Sequence, residues 1–203
     1  MDDSAPAETD AADTPRRADA RRNQRSVLDA AAKVFVTSGV EAPIRAIAAE
    51  AGVGTATIYR HFPTRADLIV AVYRHQVDGL AEAGPALLDD APTPFDALER
   101  WIDRFVDFLV TKHGLADVLR SDDPCFDPLH AYFLDRLVPV CGDLLAASEA
   151  AGQIRPGQHP VELLRGVGSL CAGASTAVDY DARRMVGLLV AGLRGPATAS
   201  DDA

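Results

Sequence analysis

Two basic residues, Arg60 and His61, stand between two aromatics, Tyr59 and Phe62, in the stretch AGVGTATIYRHFP at 51–63. An arginine presented this way can pair bidentately with the acceptor edge of guanine, and Thr55, Ala56 and Thr57 lead into it. The chemistry on offer is recognition of a polyanion. Bond-making chemistry has no comparable site. The chain contains no G-x-S-x-G, P-loop, H-E-x-x-H or dinucleotide fingerprint. Its acid pairs, Asp89-Asp90 and Asp122-Asp123, fall in Pro-rich stretches and read as solvated turns or caps. An enzyme is therefore not expected. Cys125, Cys141 and Cys171 are far apart and form no CxxC or Cys/His metal spacing. They read as buried thiols of a cytoplasmic protein, with no metal and no cofactor expected.

The charge distribution points the same way. The 203 residues carry a formal net charge of −10, which by itself disfavours a nucleic-acid partner. The charge is unevenly placed, however. Residues 1–15 hold five acids and no base, 16–75 hold ten bases against five acids for a net of +5, and 76–203 hold ten bases against twenty acids for −10. A basic block ahead of an acidic body suits one end meeting a polyanion; the alternative is an ordinary solvated surface. Hydrophobic content of 48% supports a sizeable core. The longest apolar run, near Val186–Leu193, is far short of the roughly 20 residues a membrane span needs. The opening MDDSAPAETD has no apolar secretory segment.

Helices must position the basic-aromatic cluster. Residues 1–20 are rich in Ala, Asp, Thr and Pro and are expected to form a disordered arm. From Arg21 the pattern turns helical, with Val27, Leu28, Ala31, Val34 and Phe35 on one face and Gly39 closing the helix. Pro43 opens a second short helix with Ile44, Ile47, Ala48 and Ala51 inward, and Gly52 breaks it. A third helix covers about Thr55 to Phe62 and stops at Pro63. Thr64-Arg65-Ala66-Asp67 has capping-box form and opens a fourth helix to about Ala83. GPALLDDAPTP then reads as a linker. Helical segments follow at Phe95–Lys112, Leu115–Arg120, Pro128–Ala151, Val161–Ala174 and Asp181–Leu193. No alternating strand pattern occurs. The fold class expected is all-α, with a helix-turn-helix domain at 21–66, a helical regulatory and dimerisation domain at 67–194, and a polar tail at 195–203.

Taking Gly52 as the turn glycine of a helix-turn-helix, Ile47, Ala48, Ala51, Val53 and Ile58 fall on the inward positions. His61 departs from the simple apolar template. The stretch from Phe35 to Leu68, above all IAAEAGVGTATIYRHFPTRADL, resembles the DNA-binding domain of the TetR/AcrR family of bacterial transcriptional regulators. The aromatic-x-His-Phe ending is normal in that family. Loop placement in the C-terminal part resembles the SbtR-like subgroup.

The resemblance implies double-stranded DNA as partner, with the third helix in the major groove. Thr55, Ala56 and Arg60 are the candidates for base reading. Tyr59 is similar to a family tyrosine that meets phosphate, and Arg65 to a family lysine or arginine that does so. Thr57 is placed on an outward face, and Arg45 near the opposite backbone wall. Phosphate contacts orient such a domain and base contacts choose sequence. Phe62 reads as core, and His61 as packed or capping. Arg16, Arg17, Arg21 and Arg22 are either a minor-groove arm or solubilising charge.

The resemblance also implies a homodimer on a roughly palindromic operator and release by a small-molecule effector of unknown identity. Val161, Leu164, Val167, Gly168 and Cys171 form one candidate interface stripe, and Met185, Leu188, Leu189, Gly192 and Leu193 another. Alternatively both stripes face their own core. Trp101, Phe105, Phe108, Tyr132, Phe133 and Cys171 are candidate pocket walls, with His113, Asp117 and His130 as polar contacts; plain core is the competing reading. A repressor is expected. An activator of the same fold and a DNA-coating protein are the alternatives, the latter disfavoured by the acidic body.

Overall fold

Helix punctuation decides where this chain bends. The computed structural model describes residues 13–119, 128–173 and 180–195, with side chains for 22–109, 128–172 and 180–195. Among the described residues there are eight helices and no strand: α1 (Asp13–Ser38), α2 (Ile44–Ala51), α3 (Thr55–His61), α4 (Arg65–Asp90), α5 (Pro94–Leu119), α6 (Pro128–Ala150), α7 (Pro160–Gly173) and α8 (Ala182–Ala191). The all-α class is as expected. The chain divides into two units, Met1–Leu68 and Ile69–Ala203.

In the first unit, α1 buries Val27, Leu28, Ala31, Val34 and Phe35 along one stripe, the face its three- and four-residue spacing dictates. Gly39 ends the helix at φ 76°, its N–H donating to the Phe35 carbonyl at 3.0 Å. Only glycine adopts that left-handed conformation cheaply. Ile47, Ala48, Ile58, Phe62 and Leu68 complete this small core. The start of α1 differs from expectation. Residues 13–20, read as part of an irregular arm, are helical. The ADARR run at 18–22 consists largely of good helix formers, and Pro15 sits in the first turn, where it is tolerated. Residues 1–12 and the side chains of Arg16, Arg17 and Arg21 lie outside the described residues.

In the second unit, α4 runs without interruption to Asp90, so the expected linker from Gly84 is largely helix. Gly84 is there for close approach, not for a turn. A Cβ at this position would lie 2.2 Å from Val140 Cγ1 on α6. Pro85 lies inside the helix and forgoes one ladder bond. The true break is Ala91–Thr93. Thr93 then opens α5 with a capping box: its hydroxyl donates to Asp96 Oδ2 at 2.8 Å and accepts from the Asp96 N–H at 3.1 Å. The two segments expected at Phe95–Lys112 and Leu115–Arg120 are one helix as far as Leu119. Asp122-Asp123 and Cys125 lie outside the described residues.

Trp101, Phe95, Phe105, Leu98, Ile102, Leu137 and Leu144 are fully buried in this unit, each apolar side chain contributing about 1.5–3 kcal/mol. The one buried polar side chain among the described residues, Ser148, donates back to the Leu144 carbonyl at 2.7 Å and so is satisfied. Cys141 and Cys171 are buried, as expected, and burial pushes the Cys141 thiol up to about 12. An antiparallel bridge between Ile154 and Arg194 ties the α6–α7 loop to the end of α8, with Arg155 N–H donating to Leu193 O at 2.9 Å.

Candidate nucleic-acid interface

The α2–α3 pair is assembled around its turn. Gly52 closes α2 at φ 67°, and the Val53 N–H donates to the Ala48 carbonyl at 3.0 Å. Gly54 is the N-cap of α3 in extended conformation, and the Thr57 N–H donates to its carbonyl at 2.9 Å. These bonds leave no slack between the helices. Ile47, Ala48 and Ile58 fill the crossing. A surface ion pair, Lys33 Nζ to Glu50 Oε1 at 3.4 Å, joins α1 to α2 and contributes little at this exposure.

Because Ile58 and Phe62 point inward, the opposite side of α3 is open. Thr55, Ala56, Tyr59 and Arg60 are all exposed, and their spacing places them on one face of a helix. Tyr59 is 53% exposed, unusual for a large aromatic with core available nearby. Arg45 is exposed on the first turn of α2. Thr57, expected to face outward, is half-buried. Phe62 is core, as expected, and His61 is exposed with its ring tilted beside Phe62 at 6.2 Å.

Arg65, expected to meet phosphate, opens α4. Its side chain is half-buried, and its guanidinium donates from Nη1 to the Val40 carbonyl and from Nη2 to the Ala42 carbonyl at 2.6 Å. Sequence reasoning missed these acceptors because they are backbone oxygens. One signal was present, since a cation on the first residue of a helix opposes the macrodipole.

The profile for bacterial regulatory proteins of the tetR family matches residues 27–72, and that for the C-terminal domain of SbtR-like transcriptional regulators matches 93–195. The chain belongs to the TetR family. It is similar to a TetR transcriptional regulator from Streptomyces coelicolor, at 35% identity and a TM-score of 0.73, covering 86% of this chain and 99% of that one. A TetR transcription regulatory protein from Mycobacterium vanbaalenii is 32% identical at a TM-score of 0.67, covering 89% and 100%. An HTH-type transcriptional regulator of Staphylococcus aureus is 27% identical over 134 residues, 66% of this chain and 72% of that protein. As a TetR-family transcriptional regulator, this protein binds DNA through its helix-turn-helix.

The remaining candidate residues of this TetR-family chain divide clearly. Trp101, Phe105 and Phe108 are buried, and Phe133 is half-buried beside them. Trp101 stacks on Phe105 at 5.9 Å, and Phe133 lies 5.8 Å from Phe105 and 6.2 Å from Phe108. The Trp101 indole donates to the Leu80 carbonyl at 2.9 Å. His130 is exposed and stacks on Phe133 at 6.4 Å. The side chains of His113 and Asp117 lie outside the described residues. Tyr132 instead turns to α4, donating to Asp78 Oδ1 at 2.7 Å, where Arg136 Nε also donates at 3.0 Å. Burial and that bond to Asp78 raise its phenol.

Of the interface candidates, Leu164, Val167, Cys171 and Leu193 are buried within their own chain, so these four are core and do not face a partner. Val161 is half-buried. Leu189 is half-buried and lies against α7, where a Cβ on Gly166 would meet its Cδ2 at 3.4 Å. Met185 and Leu188 remain exposed, Leu188 at 59%. Among the described residues no group of His, Cys, Asp and Glu is placed to hold a metal ion, and no helix is long and apolar enough to cross a membrane.

Proposed function

We propose that this TetR-family regulator is a homodimeric cytoplasmic repressor, binding a palindromic operator and released by a small-molecule effector. The open face of α3 carries the reading: Thr55, Ala56, Tyr59 and Arg60 are presented together while Ile58 and Phe62 are sunk in the core. Arg60 and Thr55 meet base edges, with Ala56 allowing close approach. Tyr59 and Arg45 meet phosphate and fix the register.

A single reader of this size makes few phosphate contacts and binds weakly at physiological salt. Pairing two copies on a two-fold axis doubles the contacts and matches a palindromic site. Exposed Met185 and Leu188, one turn apart on α8 and followed by exposed Ala191 and Gly192, support α8 as the centre of the contact. Val161 and Leu189 flank it. The effector contacts the aromatic cluster of Trp101, Phe105, Phe108 and Phe133. α4 is covalently continuous from the DNA-binding unit into the regulatory unit, so an effector that favours one packing of the body shifts the spacing of the two readers. A hundredfold preference for the mismatched spacing, about 2.7 kcal/mol, suffices for a clear switch.

Leu188→Arg tests the assembly without disturbing the chain's own core, because Leu188 is already exposed. Sedimentation should show monomers, and operator affinity should fall at least a hundredfold, as expected when half the phosphate contacts are lost. Intact dimers in the variant would remove α8 from the interface.

A further inference from the structure

Three acids, Glu99, Asp103 and Asp107, recur at helical spacing along α5 and so share one ridge. Arginines of α8 and of the turn after it meet both ends of that ridge. The Arg183 guanidinium donates to Asp107, and Arg194 pairs with Glu99 at 3.7 Å. The middle acid has no arginine to itself; Asp103 acts on Arg183 more weakly than Asp107 does. Where a third arginine would complete the ladder, α8 carries Gly187, and a Cβ there would meet nothing within 4 Å. The result is a crevice of about 280 Å³. Buried Ile102, Val186 and Val190 floor it, and Glu99, Asp103 and Gly187 form its rim.

The first turn of α8 holds the complementary surplus. Arg184 is exposed, one turn before exposed Leu188, and its guanidinium has no carboxylate partner among the described residues. Only its backbone is committed, the N–H donating to Asp181 Oδ1 at 3.0 Å. We propose that the crevice receives Arg184 of the partner subunit in the homodimer, so that each protomer offers one acidic crevice and one arginine. A two-fold axis crossing α8 at Leu188 runs the paired helices antiparallel and sets the turn before Leu188 against the turn after it. Arg184 of the partner subunit then lies beside exposed Gly192, within the span that Glu99 and Asp103 accompany. It also lies on the correct side, because Arg183 and Gly187 put α5 on the flank of α8 that Arg184 shares. The arginine stem covers the apolar floor while the guanidinium meets the carboxylates. The contact is isologous and is made twice. A charge pair at such a rim selects partner and register more than it adds affinity. The inference rests on the α8 dimer proposed above.

Full-length Asp103→Arg and Arg184→Glu test it, each alone and in an equimolar mixture, by sedimentation and native mass spectrometry. Both positions are exposed, and Arg184→Glu puts an acid in the first turn of α8, where the helix dipole favours it. Each variant alone sets like charges against each other twice per dimer, and its dissociation constant should rise at least about tenfold. The mixture should regain native affinity as a heterodimer, since both cross-subunit pairs are then opposite in sign. The double variant on one chain should regain it as a homodimer. If the double variant recovers and the mixture does not, the pair lies within one chain and the proposal is wrong. Single variants that dimerise like the native protein would leave the crevice outside the interface and also overturn it. Native protein that stays monomeric would sink the α8 dimer itself, before any variant is compared.

Discussion

At the scale of single residues, Arg60 is the side chain best placed to choose sequence. It is exposed on the open face of α3, whereas the Arg65 guanidinium donates to a backbone carbonyl. Arg60→Ala should lower affinity for the selected operator by about 1–3 kcal/mol, the worth of a bidentate base contact, and leave scrambled DNA nearly unchanged. Competition titrations against both duplexes would show it; equal losses on both would make Arg60 a phosphate contact. The exposure of Tyr59 and Arg60 and the burial of Phe62 were legible in the sequence because a seven-residue helix with one buried isoleucine leaves few ways to turn. The partial burial of Arg65 and Thr57 was not. The carbonyls of Val40 and Ala42 are brought to Arg65 by a turn, and a sequence does not display the direction of a backbone oxygen.

At the scale of elements, one residue type, glycine, serves two different ends. At Gly39 and Gly52 it does what the sequence suggests, adopting positive φ at a helix end. At Gly84 the same residue type lies inside α4 because Val140 of α6 occupies the space a Cβ would need. Gly84→Ala should therefore destabilise the protein by about 1–2 kcal/mol, overpacking outweighing the gain in helix propensity. Pairing it with Val140→Ala should recover part of the loss in chemical denaturation. A single variant as stable as the native protein would show that α4 and α6 do not approach closely. The α7 and α8 stripes teach a related lesson. Periodicity identified Leu164, Val167, Cys171 and Leu193 as apolar, but an amphipathic face does not say which neighbour covers it. Their own chain does.

At the scale of the whole molecule, a protein of net charge −10 concentrates its basic charge in residues 16–75, which carry +5 and include the helix-turn-helix. The all-α class was readable because helix period and capping signals recur along the chain. The extent of α1, α4 and α5 was not, since Pro15 and Pro85 were accommodated within helices and α5 runs on through the expected break after Lys112. The central claim is that two copies of the α3 face lie in the major groove on a two-fold axis. Hydroxyl-radical footprinting of the selected duplex tests it most directly. The account predicts two symmetric protected segments, separated by one helical turn of roughly 34 Å or a multiple of it, both lost on mutating Thr55 and Arg60 together. Uniform protection along the duplex, or a discrete footprint that survives that double substitution, would contradict it.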